Sequence, residues 1–491
     1  MQQHHIYERA RLSRDPRFDG QFFVGVKTTG IYCRPVCPAV APKSENVVFY
    51  PSAAAAGEAG FRPCLRCRPE CAPGTPAWSG TSTTVRRGLR LISNGALDDG
   101  SIEQLADRLG VSSRHLRRLF AQHVGASPLS VAHTQRLHFA KRLIDQTNLP
   151  MTHVASAAGY GSVRRFNDTF RKTYGRSPRD LRRHNDETFE RDTVLTVRLP
   201  YRKPFAWRAM VQFFAARATP GVEQVVGASY FRTVMIDGQP GVIECRQDKP
   251  SESICLSLHG IATTHIFQVV QRVREMLDLD APIADIRDVL EADRRLRELI
   301  EHSPGIRVPG AWDGFELTVR AILGQQVSVK AATTLAGRIA ARYGAALKLP
   351  PSLADRSGEL QLDRAFPAAE KLCRARFNDI GLVTSRADTI RRVAGAVVHG
   401  DNTFDTAQDP DEFCANLMSI RGIGEWTAQY VAMRALKFPD AFPASDLGLL
   451  KAIYPDVKVS VAELRRRAES WRPWRAYAAL LLWSSLPGSG G

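Results

Sequence analysis

From Val85 to about Arg183, apolar residues recur at helical spacing, and glycine and proline fall only between such segments. This stretch is expected to be all helical. Near Thr193 the texture changes to alternating segments, TVLTVRLPY and, after one helix-like stretch, VIECRQ and ICLSLHG. These suit strands with one buried face, so a mixed α/β unit is expected here. Beyond about Val273 the helical period returns and continues to the C-terminus, interrupted by turns at Pro304-Gly305, Pro350-Pro351 and Gly422-Ile423-Gly424. The stretch from Ala72 to Thr84 is proline, glycine, serine and threonine without apolar period, and reads as a linker. The expected organisation is a multidomain α+β chain: a small N-terminal unit over 1–75, an all-helical unit over 84–185, a mixed unit over 192–272 and a larger helical domain over 273–491.

Length agrees with several cores: 491 residues correspond to about three or four domains of ordinary size. The longest apolar run, Ala476 to Trp483, is far too short for a membrane-spanning helix. The N-terminus has scattered charge where a secretion signal would be apolar, so the chain is expected in the reducing cytoplasm, without structural disulfides. The net charge is +17, and residues 1–190 hold 28 basic against 16 acidic side chains. A polyanionic partner is therefore favoured, met mainly by the first 190 residues.

Five of the nine cysteines fall between 33 and 71: Cys33-x3-Cys37, 26 residues, Cys64-x2-Cys67, then Cys71. Two short-spaced pairs can bring four thiolates to one tetrahedral point, the arrangement Zn2+ prefers. A purely structural zinc knuckle is one reading. The runs GVKTTGIYCRPVCPA and FRPCLRCRPE also resemble the N-terminal domain of the Ada family of adaptive-response proteins. That resemblance implies one zinc ion on Cys33, Cys37, Cys64 and Cys67, and a first cysteine, Cys33, that accepts a methyl group from a DNA methylphosphotriester. The chemistry stands on its own, since zinc holds sulfur as a nucleophilic thiolate at neutral pH. Four thiolates on Zn2+ leave roughly −2 of formal charge, and methylating one leaves roughly −1, so methylation should tighten DNA binding. Arg34, Arg62, Arg66 and Arg68 flank the ligands as candidate phosphate contacts. Cys71 has no assigned role.

Ser101-Ile102-Glu103-Gln104 fits a capping box, and LADRLGVSSRHLRRLF places Leu105, Leu109, Val111 and Leu116 inward around a turn at Gly110. The pattern recurs 49 residues later, with Gly159 at the turn and Val154, Phe166 and Phe170 as core. Each second helix presents basic or polar side chains outward: Arg114, His115, Arg117 and Arg118, then Arg164, Arg165 and Asn167. Such faces can enter a major groove. Paired in this way, they resemble an AraC-type DNA-binding domain, which implies double-stranded promoter DNA and RNA polymerase as partners.

An Ada protein's second methyltransferase would need a Pro-Cys-His-Arg motif, which is absent; Cys245, Cys255, Cys373 and Cys414 are expected to be buried core residues. Instead AILGQQVSVKAA, LMSIRGIGEWTAQYVAMRA, FPASDLGLLK and WRPWRAYAALLLW follow one another as in the AlkA family of 3-methyladenine DNA glycosylases. The resemblance implies a helix-hairpin-helix at Ile420–Gly424, with Gly422 and Gly424 letting backbone amides approach a DNA phosphate. It implies Asp446, 22 residues after Gly424, as catalytic aspartate, and Trp426, Tyr430 and Trp483 as the aromatic pocket for a flipped alkylated purine. A carboxylate beside C1′ would stabilise the positive charge that develops on the sugar. Trp426 stands where related bifunctional enzymes have a lysine, so hydrolysis leaving an abasic site is expected, without strand cleavage. No cysteine follows Cys414, which argues against an iron-sulfur cluster. Gln326 occupies the position of an apolar wedge that fills the gap left by the flipped base. The expected whole is a cytoplasmic, nucleoid-associated repair enzyme and transcriptional activator; a regulator with an inactive glycosylase-like half is the alternative.

Overall fold

The computed structural model describes residues 2–72, 83–98, 100–182, 194–400, 404, 408–454 and 459–486. Most of the expected linker lies outside these residues, and helix begins at Thr83, inside its expected C-terminal edge.

The first unit places helix α1 (Gln2–Leu12) and the short α2 (Ala53–Glu58) against a four-stranded sheet, β1 (Phe23–Val26), β2 (Ile31–Cys33), β3 (Val47–Tyr50) and β4 (Arg62–Pro63). The strand order is β3-β1-β2-β4, with β2 and β4 parallel and the other pairs antiparallel. Its two apolar clusters are small. One gathers Ala10, Phe22, Val24 and Val47, the other Phe23, Tyr32, Ala53 and Ala56.

Seven helices follow: α3 (Thr83–Ser93), α4 (Ile102–Arg108), α5 (Ser113–Val124), α6 (Pro128–Gln146), α7 (Met151–Ala157), α8 (Val163–Tyr174) and α9 (Pro178–Leu181). Serines start five of them: the expected capping box at Ser101 and Gln104 is formed, and Ser112, Ser127, Ser162 and Ser177 cap α5, α6, α8 and α9. Gly110 and Gly159 hold the two inter-helix turns at φ of 69° and 74°, a region costly for any side chain. Leu105, Leu109 and Leu116 are buried in the first copy, and Val154, Phe166 and Phe170 in the second.

The mixed unit is an antiparallel five-stranded sheet of β5 (Leu195–Pro200), β6 (Glu223–Val226), β7 (Ser229–Ile236), β8 (Gln239–Asp248) and β9 (Ser253–His259), in the order β5-β9-β8-β7-β6, with α10 (Trp207–Ala215) across it. Strand β7 is buried along almost its whole length because both faces are covered, so it shows no alternation. One face meets Leu347, Leu353, Leu360 and Leu362. The other shares a single core with α6 to α9 and with α11 (Ile266–Met276).

The helical domain continues through α12 (Ile283–Leu290), α13 (Arg294–His302), α14 (Gly314–Leu323), α15 (Val329–Tyr343), α16 (Ala369–Leu372), α17 (Thr384–His399), α18 (Pro410–Met418), α19 (Glu425–Arg434), α20 (Leu447–Ile453), α21 (Val461–Ala468) and α22 (Arg475–Ser484). Two departures from the sequence reading are physical. Helix resumes at Ile266, before the expected 273, and residues 344–368 hold a short 3-10 turn and two isolated bridges, a segment that spends its leucines on the sheet rather than on a helical stripe. Among the described residues no helix is long and apolar enough to cross a membrane.

Candidate functional site

Two chemical centres emerge, far apart in sequence. The first lies at the end of β2, where Cys33 closes the strand and Cys37 follows a turn, facing Cys64 and Cys67 from the loop after β4. All four sulfurs lie within 4.8 Å of one another. Tetrahedral Zn–S bonds of about 2.3 Å put sulfurs about 3.8 Å apart, so this donor set fits one zinc ion with little movement. Cys64 and Cys67 are buried, while Cys33 and Cys37 are partly open. The hydrogen bond from Cys33 holds the Cys37 thiol down to about 7, whereas Cys33 itself is pushed up by Cys37 and Cys64. Four crowded sulfurs thus share protons; a dication lets all four be thiolates.

The flanking arginines divide into two groups. Arg34 donates its backbone N–H to Cys67 Sγ at 3.3 Å, and its guanidinium is bound to the Asp19 carboxylate and the Cys67 carbonyl. Arg68 pairs with Asp145 and Glu70. Both act here as struts of the cluster. Arg62 and Arg66 are exposed beside it, as phosphate contacts must be. Cys71 stands outside the four-sulfur group, and burial pushes its thiol up. Next door, Tyr32 OH lies 2.9 Å from Nε2 of His138 on α6, a ring that burial holds neutral down to about pH 3.

On α5, Arg114, Arg117 and Arg118 are exposed and His115 is half-buried; on α8, Arg164 and Arg165 are exposed and Asn167 is half-buried. The sequence reading placed all of them outward. Arg117 is held by Glu103 at 3.3 Å, a weak surface pair that a phosphate could displace.

The second centre is a cleft of about 460 Å3 between α10, α14, α15, α19 and α22. Trp426 and Tyr430, one turn apart on α19, stack with centroids 5.1 Å apart and planes 9° from parallel; Trp483 meets Tyr430 edge-on at 6.2 Å. Asp446 caps α20. Its Oδ1 accepts from Leu449 N–H and from Trp483 Nε1, both at 3.0 Å, and its Oδ2 accepts from Trp426 Nε1 at 2.7 Å. The carboxylate is fixed at the cleft wall by three donors, and Gly448 leaves it room, since a Cβ there would come within 2.8 Å of Oδ1.

The hairpin joins α18 to α19. Gly422 has φ of 103°, and an added Cβ would sit 2.0 Å from Thr389 Oγ1 on α17. Gly424 opens α19 without a side-chain cap, leaving the first amides of the helix to an external acceptor. Gln326 is exposed with φ of 55°, on a loop that Gln325 ties to the hairpin through Gly422 O (3.2 Å) and Thr427 Oγ1 (3.1 Å).

Some residues of the cleft carry no motif. Phe213 arrives from α10 and Arg217 from the turn just after it, and Arg434 lies one turn beyond Tyr430. Arg217 stacks on Phe213 at 3.9 Å, and Arg434 donates to Tyr430 OH. Burial acts to raise the Tyr430 phenol, but Arg434 and Arg217 outweigh it and leave it lowered. The spacing of Phe213 and Arg217, and of Tyr430 and Arg434, is the helical i, i+4; only the fold brings the two pairs together. Of the four later cysteines, Cys245, Cys255 and Cys414 are buried as expected, whereas Cys373 is partly exposed because it ends the short α16 and bonds the Glu370 carbonyl.

Residues 7–70 match the metal binding domain of Ada, 105–184 a helix-turn-helix domain, 196–313 the AlkA N-terminal domain and 319–471 the HhH-GPD superfamily of base excision DNA repair proteins. A Mycobacterium tuberculosis protein named probable bifunctional transcriptional activator/DNA repair enzyme AlkA is 40% identical over 97% of this chain and 95% of its own. The DNA-3-methyladenine glycosylase 2 of Escherichia coli is 31% identical over 58% of this chain and 95% of its own. Among solved structures, 3-methyladenine DNA-glycosylase from Archaeoglobus fulgidus superposes with a TM-score of 0.51 at 23% identity, over 59% of this chain and 96% of that one, a likeness of fold.

Proposed function

The chain belongs to the family of AlkA-type bifunctional transcriptional activators and DNA repair enzymes, and from that premise we propose that it excises alkylated purines, takes methyl groups from DNA phosphotriesters and activates alkylation-response genes. The observation that carries the glycosylase is the Asp446 carboxylate, held by two indole N–H groups at the wall of an aromatic cleft. Trp426, Tyr430 and Trp483 stack on a flipped, electron-poor purine. The C1′–N bond breaks, the electron pair leaves with the base, and Asp446 stabilises the cationic sugar while a water adds to C1′. With Trp426 where an amine nucleophile would be needed, the product is an abasic site. Gln326 projects from the loop tied to the hairpin and serves as a polar wedge. The free amides of Gly424 and its neighbours take a phosphate, and Gly422 shapes their turn.

Cys33, Cys37, Cys64 and Cys67 hold one zinc, which keeps the Cys33 sulfur a thiolate when bound. Cys33 attacks the methyl carbon of a methylphosphotriester; an S–C bond forms, the C–O bond breaks, and the electron pair stays on the phosphate as a diester anion. Arg66 and Arg62 face that phosphate. Arg114, Arg117 and Arg118 and then Arg164, Arg165 and Asn167 enter successive major grooves of promoter DNA. Activation engages RNA polymerase in the cytoplasm.

One preparation tests both chemistries. Release of methylated purine from alkylated DNA must be lost in Asp446→Asn, and mass spectrometry must find one added methyl on Cys33. Equal release by wild type and variant would leave a regulator only, and an unmodified Cys33 would leave a structural zinc.

A further inference from the structure

Where the small sheet unit, the double helix-turn-helix and α11 meet, they line a half-open cavity of about 190 Å3 that none of the chemistry above uses. Its wall is apolar at Phe23 and Phe267, polar at Gln135 and Gln271, cationic at Arg274 and Arg142 and anionic at Glu70 and Asp280. Arg142 is the anomaly. It is 9% exposed, its Nε has no partner, and among the described residues its guanidinium makes no hydrogen bond or ion pair, only a distant approach to the Phe139 ring at 5.6 Å. The neighbouring charges are already matched: Arg274 with Asp280, and Lys141 and Arg68 with Glu70 and Asp145. The cavity wall itself holds two guanidinium groups, Arg142 and Arg274, and two carboxylates, Glu70 and Asp280, and both carboxylates are engaged by cations other than Arg142. A buried guanidinium without a hydrogen-bonded counter-charge is costly to fold, and burial with the nearby Arg274 lowers Arg142 to about 10 against the opposing pull of Cys71, Asp280 and Glu70.

We propose that this three-way junction is a binding site for a small organic monoanion, a carboxylate on a compact apolar body, with Arg142 as its fork. The planar guanidinium matches a carboxylate bidentately. The volume is several times the ~30 Å3 share of one water, so a bare halide would leave most of it unfilled. Arg142, the lining guanidinium without a hydrogen-bonded carboxylate among the described residues, calls for one negative charge on the ligand, and the phenylalanine walls set its apolar body. Because all three units supply the wall, a bound ligand bridges them and strengthens their docking.

The test uses the full chain and 4-fluorobenzoate as probe, followed by 19F NMR with acetate and inorganic phosphate as competitors. Expected are saturable binding of one probe per chain and at least about tenfold weaker binding in Arg142→Gln. Arg294→Gln, on the exposed face of α13, should bind like wild type. If Arg142→Gln does not fold, Gln271→Trp, which fills the cavity and keeps the guanidinium, must also lose the probe. The proposal is overturned by absence of saturable binding at millimolar probe, by binding unchanged in either cavity variant, or by phosphate displacing the probe as well as acetate does.

Discussion

Asp446 serves two ends with one carboxylate, capping α20 through Leu449 and receiving both indoles of the cleft. Asparagine caps a helix as well as aspartate does, but its NH2 would meet the Trp426 indole N–H that Oδ2 now accepts, so Asp446→Asn should still fold and lose about 1–3 kcal/mol of stability. It loses the charge that faces the sugar, and base release should fall about 10²- to 10³-fold, read as methylated purine freed from alkylated DNA. His138 gives a second expectation. Its folded-state pKa is about 3 against the ordinary 6.5, so between those values the unfolded chain binds a proton that the folded chain refuses. Stability from this group is complete above about pH 6.5 and falls toward pH 3 by up to about 1.4 kcal/mol per pH unit. His138→Gln should flatten that slope in denaturant titrations at several pH values. At this scale, residues inside dense motifs were legible from sequence: the four cysteines, Asp446 and the three aromatics. Phe213, Arg217 and Arg434 were not, because two elements some 200 positions apart must pack before they share a wall.

Turns and strands show a similar division. Gly422 needs glycine twice over, for its backbone angle and for its closeness to Thr389, while Gly424 has φ of −101° and open space beside it. Gly422→Ala should therefore destabilise by about 1–3 kcal/mol and weaken binding to any DNA sequence, with Gly424→Ala clearly milder in both thermal unfolding and filter binding. The helix-turn-helix pairs were legible because glycine, serine caps and apolar spacing agree at every level. Strand β7 was hidden because a strand covered on both faces has no period to read. Residues 344–368 were hidden for the converse reason, a leucine-bearing segment with no regular element beneath it.

The molecule as a whole is unevenly secured. The four-stranded unit has two clusters of four buried apolar residues each, too few to hold it without its metal. Removing zinc with a chelator should deprotect the amides of β1 to β4 in hydrogen exchange while leaving base release unchanged. The larger part is secured differently, since the second helix-turn-helix and the five-stranded sheet bury their side chains in one continuous core. The regulatory reader and the repair enzyme are thus not beads on a string. Cutting this chain between the two would leave each product displaying a raw greasy wall, and the separated products should clump where the intact protein stays dispersed.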